Sequence, residues 1–106
     1  MNFSDYQAQA VKTAIYKHEI IYPALGLANE AGEVLGKIKK VLRDNDGDFT
    51  PEMSKAISDE IGDVLWYIAA LSRDLGVPLE QIAQSNLDKL NSRMARGVLG
   101  GSGDNR

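Results

Sequence analysis

Apolar residues recur at helical spacing in three long stretches of this 106-residue chain, and no stretch shows the strict alternation of a half-buried strand. Leu27, Ala31, Val34, Ile38 and Val41 form one stripe and predict a helix over about 24–42. Ile57, Ile61, Val64, Ile68, Leu71 and Leu75 form a second, in a helix opened by Thr50-Pro51-Glu52 and ended by Gly76-Val77-Pro78. Leu79, Ile82, Ala83, Leu87, Leu90 and Met94 form a third, over about 79–96. A shorter first helix is expected from Ser4 to about His18, with Ser4 and Gln7 as a capping box and Tyr22-Pro23 as the break after it. The run Asp44-Asn45-Asp46-Gly47-Asp48 reads as a loop, and the glycine-rich residues 97–106 read as an irregular tail. The expected architecture is one all-α, four-helix bundle-like domain over 1–96, followed by that tail.

The chain repeats itself at an offset of 30 residues. Leu27-Ala-Asn-Glu-Ala-Gly-Glu-Val-Leu-Gly-Lys-Ile38 lies over Ile57-Ser-Asp-Glu-Ile-Gly-Asp-Val-Leu-Trp-Tyr-Ile68. Identities fall at Glu30/Glu60, Gly32/Gly62, Val34/Val64, Leu35/Leu65 and Ile38/Ile68, and continue at Arg43/Arg73 and Asp44/Asp74. Amphipathicity alone accounts for the apolar identities but not for the acids and glycines. Residues three apart share a helix face, so Glu30 and Glu33 flank one apolar stripe and Glu60 and Asp63 flank the other. Two such helices packed antiparallel can present equivalent flanks to each other. Four carboxylates gathered there repel one another, and a divalent cation removes that repulsion. The glycines at 32 and 62 lower helix propensity and point to close packing against another helix or another subunit.

The last helix carries Asn86, Lys89, Arg93 and Arg96 on one flank of its stripe, a basic face suited to a phosphate chain beside a metal. Tyr67 lies on the acidic flank, where its ring either stacks on a base or belongs to a core or interface. Trp66 points away from its own stripe and is expected to be exposed in a monomer, which favours a subunit contact. Of Lys37, Lys39 and Lys40, read as mostly solvated, Lys37 is a phosphate-contact candidate.

Composition narrows the chemistry. The chain is 43 % hydrophobic and 25 % charged, with a net charge of −3, so no strong field draws it to nucleic acid or an anionic membrane. With no cysteine and one histidine, thiolate metal sites, cysteine nucleophiles and multi-histidine sites are excluded. Oxygen ligands favour Mg²⁺, Mn²⁺ or Ca²⁺. No apolar run matches a membrane span or a signal-peptide core, so a cytoplasmic location is expected.

The ordered set Glu30-Ala-Gly-Glu33 and Glu60-Ile-Gly-Asp63, followed by Asn86-Leu-Asp-Lys89-Leu-Asn-Ser-Arg93 and the ending Gly100-Gly-Ser-Gly-Asp-Asn-Arg106, resembles the MazG-like nucleotide pyrophosphohydrolases of the all-α NTP pyrophosphatase superfamily. The resemblance implies a helical protomer assembled as a dimer or a dimer of dimers. It implies Mg²⁺-dependent hydrolysis (Mn²⁺ as a substitute) of a nucleoside triphosphate to the monophosphate and pyrophosphate. Carried over by motif position, Glu30, Glu33, Glu60 and Asp63 are metal ligands, and Glu33, Glu60 and Lys89 are the catalytic candidates. Asn86, Lys89, Arg93, Arg106 and Tyr67 are the substrate-binding candidates. The competing expectation is a helical assembly module that holds Mg²⁺-nucleotide without turnover.

Overall fold

Asn2, not Ser4, opens the first helix. In the computed structural model, which describes all residues from Met1 to Arg106, the Asn2 side chain accepts from the Asp5 N–H and caps α1 (Phe3–Ala10). Ser4 and Gln7 bond outward instead. The Ser4 hydroxyl donates to Glu80 at 2.6 Å, and the Gln7 amide donates to the Ala69 carbonyl at 2.9 Å and accepts from the Leu79 N–H at 3.1 Å. The capping box thus gives way to contacts that tie α1 to the elements around residues 69–80. The first helix is also shorter than expected: one 3-10 turn (Val11–Thr13) follows it, and the chain then crosses to α2 in irregular form.

α2 (Ile21–Asn45) begins earlier and ends later than the apolar stripe alone indicated. Pro23 does not break a preceding helix. It sits in the first turn of α2, where a missing N–H costs no intrahelical bond, and it is fully buried. At the other end Asp46 adopts the left-handed conformation and its N–H returns to the Val41 carbonyl, closing the helix before the acidic loop. α3 (Pro51–Asp74) starts as the sequence indicated: Thr50 caps it through the Met53 N–H and Pro51 occupies its first position. α4 (Leu79–Ala95) follows a tight reversal at Gly76, φ 76°. No strand is present.

α2 and α3 form an antiparallel hairpin of 25 and 24 residues, each about 37 Å long at 1.5 Å per residue. Gly26 faces Tyr67 near one end and Lys37 faces Glu60 further along. α1 lies across α3, and α4 packs against α1 and α3 but nowhere against α2. Only seven of the 106 residues are buried, and the radius of gyration is 16.7 Å, against about 13 Å for a compact domain of this length. Leu35, Leu42, Ile61, Leu87 and Met94 are each more than half exposed. One chain therefore leaves apolar faces of α2, α3 and α4 uncovered.

Packing within one chain places no helix against the repeat glycines and covers Trp66 in part. A Cβ at Gly32 or Gly62 would meet nothing within 4 Å, so no helix of the same chain presses on either position. Gly32→Ala and Gly62→Ala should each raise thermal stability, by up to about 1 kcal/mol, through helix propensity alone. A loss of stability on melting would mean that a second copy packs on that face. Trp66, expected to be free in a monomer, is instead partly covered by the segment after α1. Its indole N–H donates to the Thr13 hydroxyl at 2.8 Å and to the Ala10 carbonyl at 3.2 Å.

Candidate active site

The antiparallel hairpin turns the 30-residue repeat into a site. Glu30 of α2 meets Glu60 and Asp63 of α3, with one carboxylate oxygen from each lying within 4.8 Å of the others. Desolvation between the helices, a hydrogen bond with Glu60, and the charges of Asp63, Glu60 and Glu33 together push the Glu30 carboxyl above its ordinary range. The one basic group beside this cluster is Lys37, whose ammonium lies 3.7 Å from Glu60. Lys37 thus partners an acid of the site rather than standing free.

This donor set fits a hard divalent cation. It offers only oxygen ligands, from two rigid helices, with more negative charge than one lysine offsets. Glu33 lies one turn beyond Glu30, exposed and outside the three-carboxylate group, near enough for its charge to act on Glu30.

The acids open onto a cleft of about 390 Å³ lined by Glu30, Asp63, Trp66 and Tyr67. Tyr67 reaches this position because Gly26 has no side chain: a Cβ there would lie 2.1 Å from the tyrosine ring. Burial, then hydrogen bonding with Tyr22 and the nearby charges of Tyr22, Glu30 and Asp63, raise the Tyr67 hydroxyl above its ordinary range. Tyr6 of α1 is raised as well, by burial and then by the Asp63 charge. Both phenols therefore stay protonated beside the acids at neutral pH.

The basic flank of α4 is not brought to this cleft by its own chain. Asn86 and Lys89 are exposed and hold no ion pair, on a helix that does not touch α2. Arg93 is buried against the tail and donates to the Asp104 carbonyl at 2.9 Å. Arg106 closes the tail on itself, donating to the carbonyls of Val98, Leu99, Gly100 and Gly103. Both arginines are thus engaged by backbone oxygens.

Sequence reasoning did not assign Trp66, Tyr22 or Tyr6 to the site. One signal was present: all four tyrosines and the single tryptophan fall in the first 22 residues or at 66–67, an aromatic pairing of two distant segments.

The hairpin thus sets Glu30 of α2 against Glu60 and Asp63 of α3 beside an aromatic cleft. The chain matches the MazG nucleotide pyrophosphohydrolase domain over residues 18–97 and belongs to that family. The matched segment spans α2, α3 and α4 with all four acids, and leaves α1 and Arg106 outside. The chain is similar to the Gene 37 protein of Mycobacterium phage L5, with 46 % identity over 114 aligned positions that cover the whole of both chains. No solved structure matches it. No helix is long and apolar enough to cross a membrane.

Proposed function

We propose that this protein is a Mg²⁺-dependent nucleoside triphosphate pyrophosphohydrolase, converting a ribo- or deoxyribonucleoside triphosphate and water to the monophosphate and pyrophosphate. The observation that carries this reading is the meeting of Glu30, Glu60 and Asp63 across the hairpin in a chain of the MazG family. These three carboxylates, with Glu33 at the rim, would hold Mg²⁺ (or Mn²⁺). When bound, the ion supplies charge neutralisation of phosphate oxygens and a more acidic water.

The chain's own groups do the rest. Glu33, exposed and outside the cluster, takes the proton from the water that attacks the α phosphorus. Lys37 offsets part of the acidic charge, its ammonium 3.7 Å from Glu60. Tyr67 and Trp66 offer ring surface to the nucleoside beside the acids. Lys89, supplied by a second copy, balances charge on the departing pyrophosphate, and Asn86 beside it donates a hydrogen bond. Arg93 and Arg106 join in phosphate binding only by exchanging the carbonyls they now hold for phosphate oxygens. The reaction belongs to the cytoplasm, where nucleoside triphosphates are made and used.

Assembly is part of the same proposal. A second copy covers the exposed faces that include Leu35, Ile61, Leu87 and Met94, and brings an Asn86–Lys89 flank toward an acidic cluster that its own chain keeps it from. The expected protein is a homodimer or homotetramer whose melting temperature falls on dilution. Sedimentation as a monomer of 11.6 kDa with a concentration-independent melt would refute this.

The test of function is product analysis with a panel of canonical NTPs and dNTPs, with Mg²⁺ and with EDTA. Monophosphate plus pyrophosphate, formed only with the metal, is the expected result. Tight binding of Mg²⁺-nucleotide without product would instead make the protein a non-catalytic binding module.

A further inference from the structure

The Arg-Asp pair that closes each repeat has two different fates. Arg43-Asp44, at the end of α2, lies in solvent with the two side chains paired only to each other. Arg73-Asp74, at the end of α3, is locked in: the Asp74 side chain is 1 % exposed. One oxygen of Asp74 accepts from the Tyr16 hydroxyl at 2.8 Å and from the Ile20 N–H at 3.0 Å. The other accepts from the Arg73 guanidinium at 3.1 Å, and Arg73 also donates to the Tyr16 hydroxyl at 3.0 Å. Ile20 has φ 66°, a conformation that a β-branched residue resists, and it opens α2 without a side-chain cap. The Asp74 carboxylate holds that strained residue in place through its N–H.

What this latch fastens is the back of the cleft. Tyr16 stacks on Tyr22, with centroids 5.0 Å apart, and meets Trp66 edge-on at 6.4 Å. Tyr22 leans on Tyr67 at 6.2 Å, and Tyr67 meets Trp66 edge-on at 5.0 Å. The four rings form a closed cycle, and two of its members, Trp66 and Tyr67, line the acidic cleft. The other two come from the segment that Asp74 holds. We propose that Asp74 is a positioning residue: by fixing Tyr16 and Ile20 it braces the Trp66–Tyr67 wall against which the nucleoside is held, at a distance from the metal-binding acids. This rests on the nucleotide-hydrolase reading only for the identity of the ligand; the bracing itself does not depend on it.

The experiment compares the parent protein with Asp74→Asn and with Tyr16→Phe, which removes one donor and keeps the ring. Trp66 is the only tryptophan, so its fluorescence and its quenching by acrylamide report on the wall alone. Quenching of folded, Mg²⁺-loaded protein should rise severalfold in Asp74→Asn and by less in Tyr16→Phe. Mg²⁺ affinity, read by thermal shift, should stay within about twofold, because no ligand is touched. Nucleotide KM should rise severalfold in Asp74→Asn, because the wall that holds the nucleoside is loosened, with kcat nearly unchanged. Unchanged quenching in both folded variants overturns the proposal, as does a loosened Trp66 with unchanged KM. If Asp74→Asn does not fold, Tyr16→Phe decides by the same readings. A parent protein that hydrolyses no nucleotide sinks the functional reading instead, and the quenching series still decides the latch.

Discussion

Glu60→Gln should fold as a helical protein and lose turnover at least a hundredfold. The amide keeps the size of the side chain but removes one of the three charges that converge across the hairpin. Even groups that only support a metal ligand cost about 10–100-fold in metal affinity or activity when changed, so a ligand should cost more. Stability should respond differently. The Lys37–Glu60 pair that the change removes is partly exposed and contributes little, on the order of 0–1 kcal/mol. In the parent, Mg²⁺ should raise the melting temperature by cancelling repulsion among the acids; in Glu60→Gln that rise should shrink to near zero. Turnover at the parental rate would show that the assigned cluster is not the site.

The pH dependence of the metal-free parent has a definite sign. Glu30 is held above its ordinary range, so the folded state favours its protonated form. Its contribution to stability is therefore complete below the unfolded carboxylate value of about 4.3 and is lost as pH rises through the raised folded value. Added Mg²⁺ should flatten that part of the melting profile, because it binds the ionised form.

Gly26→Ala should be the most damaging single methyl in the chain. In an open helical position this change gains up to about 1 kcal/mol. Here the new Cβ falls 2.1 Å from a Tyr67 ring carbon, far inside the 3.5–4.0 Å of an ordinary carbon contact. The ring must swing away or the hairpin must open, and overpacking of this kind typically costs 1–3 kcal/mol. A net loss of about 1–2 kcal/mol and weaker nucleotide binding are expected, since Tyr67 lines the cleft. Pairing Gly26→Ala with Tyr67→Val should recover much of the stability, because the two side chains compete for one space; a double-mutant cycle by thermal melting measures that coupling. A Gly26→Ala protein as stable as the parent would show that the ring does not occupy this space.

These variants separate what local sequence encodes from what packing decides. The three long helices were legible because their stripes repeat at helical spacing, and Thr50-Pro51 marked the start of α3, where it lies. The acids of the candidate site were legible because they recur in register on the flanks of two stripes, and antiparallel packing then had only to bring three of them together. The first helix was misjudged because Ser4 and Gln7 are equally suited to local capping and to the long-range bonds they make with Glu80, Ala69 and Leu79. Angular position placed Trp66 off its own stripe, but it carried no information about a segment more than fifty residues away that covers the ring.

The basic flank of α4 shows the same limit at larger scale. Its residues share a helix face by spacing alone, but the direction of α4 is set by the reversal at Gly76 and by the contacts of Ser4 and Gln7. Helical periodicity is a property of about a dozen neighbouring residues, so the sequence by itself determined the helices, their apolar faces and the recurrence of the acids. The tertiary structure alone decided that Asp44 stands in solvent while the side chain of Asp74, in the identical dipeptide thirty residues later, is buried. Residues 14–20 cross the end of α3 and supply Tyr16 and the Ile20 N–H to Asp74, whereas Asp44, at the end of α2, pairs only with its neighbour Arg43. The charge and chemistry of the two pairs are the same, and the surroundings that desolvate one and hydrate the other come from distant chain.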